Sequence, residues 1–407
     1  MTELSPADTL RMESEASIFY IPPVLILVAV FTFIAMVFRQ IELSLFGVAL
    51  IGSAVGLKWW SRAASRNLSC RIRLDRMKVF PLEDFSIEIH VENNKALPVY
   101  FRTFLSVGKA IGESDRASAD MEVDLGLLWH QQASYAKNFT ARRRGVYKLK
   151  TAEAAVGDLF GIFIGTAHIG QAEELVVFPR RIAIHPFPKV KRLIFGKPGV
   201  VSPIEDPTYF FGTRDYQHHR PARHIHWKAS ARYARLQEKI FEPVGPDKVL
   251  LVLDTEPFVQ IDAEKRMERA IECMAALAAM LDREKYGVGL FTNAATERGS
   301  SRRISVDRKP NQLADILDAL ARIQFRQSIS MPEILDRGLK IPTGTICVVF
   351  TMGELVIGNY FKQRHTPVVA VFCGTDDDAY RSLQRQSPGR CYRLQDFCFE
   401  EDEDEVP

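Results

Sequence analysis

Two apolar runs open the chain. Residues 18–38 carry no charge, and at about 1.5 Å rise per residue they predict a helix about 31 Å long, enough to cross a hydrocarbon core. Pro22 and Pro23 fall near its start, where a helix tolerates proline. After a short polar link, residues 43–57 are apolar again and run into Lys58-Trp59-Trp60, an aromatic pair suited to a membrane–water interface. The pattern predicts a two-span transmembrane helical hairpin over 18–60, preceded by an acidic segment, 1–17. The acidic residues of that segment and the lack of a small-residue cleavage site argue against a cleaved leader.

Beyond the hairpin the period changes to two. Phe85, Ile87, Ile89 and Val91 alternate with Ser86, Glu88 and His90, the mark of a half-buried strand. Further short β-rich runs lie at 99–107, 135–140, 145–149 and 175–178, and no helical period intervenes. An antiparallel β-sandwich-like domain over 61–181 is expected. From residue 248 the texture becomes α/β. Val249 to Leu253 is a continuous apolar run, as in a strand covered on both faces. A helix is expected over 262–284, followed by strand, helix, strand and strand to residue 372. This is a doubly wound layout whose ligand crevice belongs at the C-terminal strand ends. It occupies 248–395; residues 182–247 read as a linker rich in Pro, Gly and Arg, and 396–407 as an acidic, disordered tail.

Charge alters the picture locally and not globally. The 53 basic and 50 acidic residues nearly cancel, at a net +3, which excludes a globally basic nucleic-acid binder. The basic residues that follow the second span (Lys58, Arg62, Arg66, Arg71, Arg73, Arg76 and Lys78) are opposed only by Asp75. Such a cluster stays on the cytoplasmic side and attracts anionic lipid. Both termini and the soluble domains are then expected in the cytoplasm, at the inner membrane. The six cysteines form no CxxC and read as buried small hydrophobes in a reducing compartment.

The linker holds the most distinctive residues. Phe211-Gly212-Thr213-Arg214-Asp215-Tyr216 is followed by the run from His218 through Arg220, Arg223, Ile225, Trp227 and Lys228 to Ser230-Ala231-Arg232. With Arg144-Gly145-Val146-Tyr147 and Gly157-Asp158-Leu159-Phe160-Gly161 upstream, the chain resembles the bacterial family called domain of unknown function 58. The resemblance implies a two-span hairpin, a β domain, a von Willebrand factor A-like α/β domain and a working partner, a MoxR-type AAA+ ATPase. His218-His219 and His226 depart from the family pattern, which has Gly-Asp in the turn and Asp before the tryptophan.

Three constellations carry candidate chemistry. A von Willebrand A-like fold can hold magnesium through an Asp-x-Ser-x-Ser turn after its first strand, where hard oxygen ligands converge. Here Asp254, Glu256 and Phe258 stand at those positions; Asp254, Thr255 and Glu256, with Glu354, are the residues that could gather a cation. Phenylalanine cannot ligate, so the turn reads as a relic, with no cofactor expected. His218, His219, His224 and His226 are crowded together, and His224 and His226 would share one face of a strand. A metal-dependent hydrolase using this cluster is one alternative function, and a divalent-cation-dependent adhesion domain is another. The third constellation is basic and aromatic: Arg214, Tyr216, Arg220, Arg223, Trp227, Lys228 and Arg232. Guanidinium forks suit carboxylates and phosphates, so an acidic protein partner, anionic lipid headgroups and internal ion pairs between the domains are all open readings, with nucleic acid ranked last for a chain anchored in a membrane. Alternation predicts Ile225 and Trp227 buried together. The expected function is a membrane-anchored scaffold or adaptor that acts with the ATPase in assembling other complexes, with no catalytic residue assigned.

Overall fold

The computed structural model describes residues 15–16, 22–64, 68–107, 111–113, 120–149, 151–158, 163–167, 173–195, 205–217, 222–243, 248–295, 303–326, 329–336, 341–355, 358–364, 366–387 and 390–399. The chain is multidomain and divides into two units, Met1–Phe178 and Pro179–Pro407. The boundary lies between residues 178 and 179, and residues 182–247 belong to the second unit.

In the first unit, helices Pro22–Val37 and Ile41–Ala64 pack against each other across a short turn at residues 38–40. Their contact is close because Gly47 faces Thr32: a Cβ on Gly47 would lie 2.0 Å from Thr32 Oγ1. Thr32 turns its hydroxyl inward, donating to Val28 O at 2.7 Å. Most other apolar side chains of the pair, such as Leu27, Phe33, Leu45 and Phe46, are exposed. The span Ile41–Trp60 is long and apolar enough to cross a membrane, whereas the first helix is shorter. The second helix continues past Lys58 to Ala64, and residues 18–21 of the first expected span lie outside those described.

The remainder of this unit is β-sandwich-like. One sheet holds strands Glu15–Ala16, Phe163–Ala167, Thr151–Gly157, Val99–Ser106 and Asp120–Leu127 in that order; another holds Leu68–Leu74, Asp84–Asn93, Gln132–Ala141 and Ile111–Glu113. The alternation in Asp84–Asn93 is realised: every second residue from Phe85 is buried. Ile87 and Ile89 from one sheet share a core with Val99, Phe101 and Leu105 from the other. A smaller sheet, Lys78–Val79, Glu173–Val177 and Gly145–Leu149, adds to the same core through Leu149, Leu175 and Val177.

The second unit is built on a six-stranded sheet in the order Arg303–Asp307, Gly287–Thr292, Lys248–Leu253, Thr345–Thr351, Val368–Phe372 and Cys391–Arg393. All neighbours are parallel except the edge strand Arg303–Asp307, which the sequence pattern missed. Leu250, Val252, Cys347, Val349, Ala370 and Phe372 pack with Met331, Ile334, Phe361 and Leu383 from helices Met331–Asp336, Gly358–Gln363 and Asp377–Gln386. The alternate residues Val249, Leu251 and Leu253 are equally buried and so require cover on the opposite face. Helices Glu264–Arg283 and Gln312–Ala321, which pack on each other and on Gly287–Thr292, provide cover. The sheet is therefore doubly wound. All six cysteines are free and buried, and burial pushes the Cys70 and Cys391 thiols up to about 11.

Candidate functional site

Two places collect the predicted residues, both in the second unit. The first is the rim of the sheet. Leu253 pairs with Thr292 on one side and Phe350 on the other, so Asp254, Asn293 and Thr351 come next in register at the C-terminal strand ends. That is where a doubly wound sheet binds ligands. Asp254, Thr255, Thr292, Asn293 and Thr351 are all buried; the Thr292 and Thr351 hydroxyls accept from Ala294 N and Gly353 N, while Asp254, Thr255 and Asn293 bond one another. Asn293 Nδ2 donates to Asp254 Oδ1 at 2.9 Å, while Asn293 Oδ1 accepts from the backbone N–H and the hydroxyl of Thr255 at 2.8 and 2.9 Å. The Glu256 N–H adds a 3.3 Å bond to Asp254 Oδ1. Burial outweighs these bonds and pushes the Asp254 carboxyl up to about 6.

The residues present do not fit a magnesium site. Phe258, where the turn would carry its second hydroxyl, is fully buried in the short helix Glu256–Gln260. Glu354 is exposed and Glu256 half-buried. Among the described residues no three His, Cys, Asp or Glu side chains are grouped to hold a metal ion. Asn293 was missed in the sequence, because its role depends on strand register and not on its neighbours in the chain.

The second place is the signature block, which is a hairpin carrying a helix. Strands Glu205–Asp215 and Gln237–Pro243 pair antiparallel, with Arg214 opposite Glu238 and Asp215 opposite Gln237. Between them run a 3-10 turn, Ala222–His224, and the helix Trp227–Tyr233. This corrects the expected strand at His224 and His226: His224 ends the 3-10 turn and His226 precedes the helix, so they do not share a strand face. His226 is instead the helix N-cap, its Nδ1 accepting from Ala229 N at 3.0 Å. His218, His219, Pro221 and Arg220 lie outside the described residues.

Ser230 locks the helix to the hairpin. Its buried hydroxyl donates to His226 O at 3.1 Å and accepts from Gln237 N at 2.8 Å, and His226 N donates to Gln237 O at 2.7 Å. Ile225 is buried as expected, but Trp227 is 70% exposed. The helical turn is the reason: at about 100° per residue, Trp227 leaves the face it would have shared with Ile225 in a strand. Lys228, Arg232 and Arg235 are exposed on the same element and its C-terminal end, with Tyr233 and Leu236. Tyr216 is half-buried, its backbone bonded to Leu236 O. The backbone of Arg223 lies in the 3-10 turn.

Two arginines of the block pair internally. Arg214 Nε donates to the Glu238 carboxylate, which is only 1% exposed, while Arg214 itself is 42% exposed. Arg235 reaches Asp215 at 3.2 Å, both groups being exposed. Glu238 escaped the sequence reading, although its two-residue offset from Leu236 and Ile240 is the signal that an acid sits within a strand.

No family model matches the chain, and no curated protein matches it in sequence. Solved structures are similar to parts of it. A type II cohesin domain from the cellulosome of Acetivibrio cellulolyticus is 9% identical at a TM-score of 0.23, covering 27% of this chain and 95% of that domain. A CARDB domain from Pyrococcus furiosus is 16% identical at a TM-score of 0.19, over 27% of this chain and 91% of that one. Proximal thread matrix protein 1 from the mussel byssus is 10% identical at a TM-score of 0.28, over 36% of this chain and 42% of its own length.

Proposed function

We propose that the chain is a membrane-anchored adaptor of the domain-of-unknown-function-58 type, with the block around Trp227 as its docking surface. The observation that carries this reading is the placement of Trp227, 70% exposed on a helix whose other side is fixed by buried Ser230. A large aromatic beside Lys228 and Arg232 is the composition of an interface anchor. The surface suits an acidic protein partner, and a MoxR-type AAA+ ATPase is the partner proposed. Nucleic acid is the poorer fit for a chain held at a membrane.

In this reading the helices Pro22–Val37 and Ile41–Ala64 cross the inner membrane as a two-span hairpin. The basic residues of 58–78 lie at anionic lipid on the cytoplasmic side, where both units face. The buried free thiols suit a reducing compartment. The α/β unit is von Willebrand factor A-like with its cation turn replaced by the Asp254–Asn293 network, so adhesion through a divalent ion is set aside. The test is direct: the intact chain is immobilised in lipid nanodiscs and a MoxR-type ATPase is flowed over it. Saturable binding that weakens with added salt is expected; no binding at low salt overturns the proposal.

A further inference from the structure

A turn of the first unit's sandwich carries an exposed tryptophan, Trp129, and it stands beside the end of the long apolar helix. Trp60 Nε1 donates to Pro98 O at 2.7 Å, and Lys95 Nζ donates to Ala63 O at 3.2 Å. The loop at 94–98 thus closes the last turn of helix Ile41–Ala64, where the carbonyls lack helical partners. The segment before the first helix returns to the same sandwich, Ala16 pairing with Phe163 and Glu15 with Ile164. Both ends of the helical pair are therefore fastened to one domain.

A second loop is bolted to the first. Fully buried Asn93 donates through Nδ2 to Leu97 O at 2.9 Å and to Leu128 O at 2.7 Å. His130 N donates to Lys95 O at 3.1 Å, and Asn93 N to Gln131 O at 2.9 Å. Within the turn, Gln131 Oε1 accepts from Leu128 N at 2.8 Å, and His130 takes a positive φ of 51°. So many fixed bonds hold the turn rigid. Yet the side chains at its tip are open: Leu128 is 46% and Trp129 61% exposed.

We propose that Leu128 and Trp129 form a wedge that seats the sandwich in the interfacial layer of the bilayer entered by helix Ile41–Ala64. The proposal rests on reading that helix as membrane-inserted. The occupant is lipid and not a protein because of where the turn is attached. Residues 58–63 rise only about 8 Å along the helix axis, comparable with the thickness of a headgroup layer. A loop bonded to Trp60 and Ala63 lies at that depth. Trp59, on the same helical turn, is 66% exposed, and tryptophan, apolar in body and polar at one edge, is the residue that membrane interfaces favour. The rigid turn adds little ordering cost on insertion.

Tryptophan quenching tests this on the intact chain in vesicles of phosphatidylcholine and phosphatidylglycerol, with and without phosphatidylcholine brominated near the headgroup. Emission of the intact chain minus that of Trp129→Phe isolates Trp129; the same difference with Trp59→Phe isolates Trp59. The expected result is that bromolipid quenches Trp129 as strongly as Trp59. Quenching of Trp59 without Trp129 overturns the wedge and leaves the membrane-inserted helix standing. If neither is quenched, the membrane reading falls and takes the wedge with it.

Discussion

Asn293 lies beside Asp254 at the rim of the parallel sheet, its amide Nδ2 donating to the buried carboxylate at 2.9 Å. The other end of the same amide holds Thr255 by two bonds, so one side chain orders the whole turn after the first strand. A buried carboxylate with partners but no counter-charge is costly, and its pH dependence follows.

The Asp254 carboxyl, ordinarily near 3.8, is held at about 6 by burial. Between those values the folded chain binds more protons than the unfolded chain, so stability falls as pH rises through that window and the full penalty persists above it. Asp254→Asn keeps an acceptor for Asn293 and removes the charge. It is expected to stabilise the protein by about 1–3 kcal/mol at pH 7 and to flatten the melting profile between pH 4 and 6. Thermal melts across that range check it; a destabilised Asn variant at pH 7 would contradict the account.

The Arg214–Glu238 pair responds in the opposite sense. Glu238 is almost fully buried, whereas Arg214 reaches it from the surface. Removing the arginine leaves an acid with no cation, so Arg214→Ala is expected to cost about 1–3 kcal/mol. Neutralising the acid in the double variant Arg214→Ala/Glu238→Gln should recover part of that loss. A double-mutant cycle by chemical denaturation reads the coupling.

In the helical pair, Gly47 has no room for a side chain against Thr32, whereas Gly52 meets nothing within 4 Å. Gly47→Val is expected to force the helices apart at a cost of about 1–3 kcal/mol, while Gly52→Ala stays within about 0.5 kcal/mol of the parent. Melts in detergent distinguish the two. Equal effects would mean that the helices do not pack through Gly47.

The sheets were legible in the sequence where one period ruled. Phe85 to Val91 and Val249 to Leu253 announced a half-buried and a fully buried strand, and both fold so. The block around Trp227 was not, because Ile225-His226-Trp227 mimics a strand over three residues. Its helix is started by His226 accepting through Nδ1, a capping role usually taken by Ser, Thr, Asp or Asn. The rim network was hidden for another reason: Asp254 and Asn293 meet only through the register of two parallel strands.

The most direct test of the adaptor reading is the affinity of a MoxR-type ATPase for the intact chain and for Trp227→Ala/Arg232→Ala, both in nanodiscs, with melting curves of each. Both side chains are exposed, so the melts should agree within about 1 kcal/mol. Loss of an exposed aromatic anchor and its neighbouring charge should weaken binding about tenfold or more. Unchanged affinity at unchanged stability would contradict the placement of the docking surface.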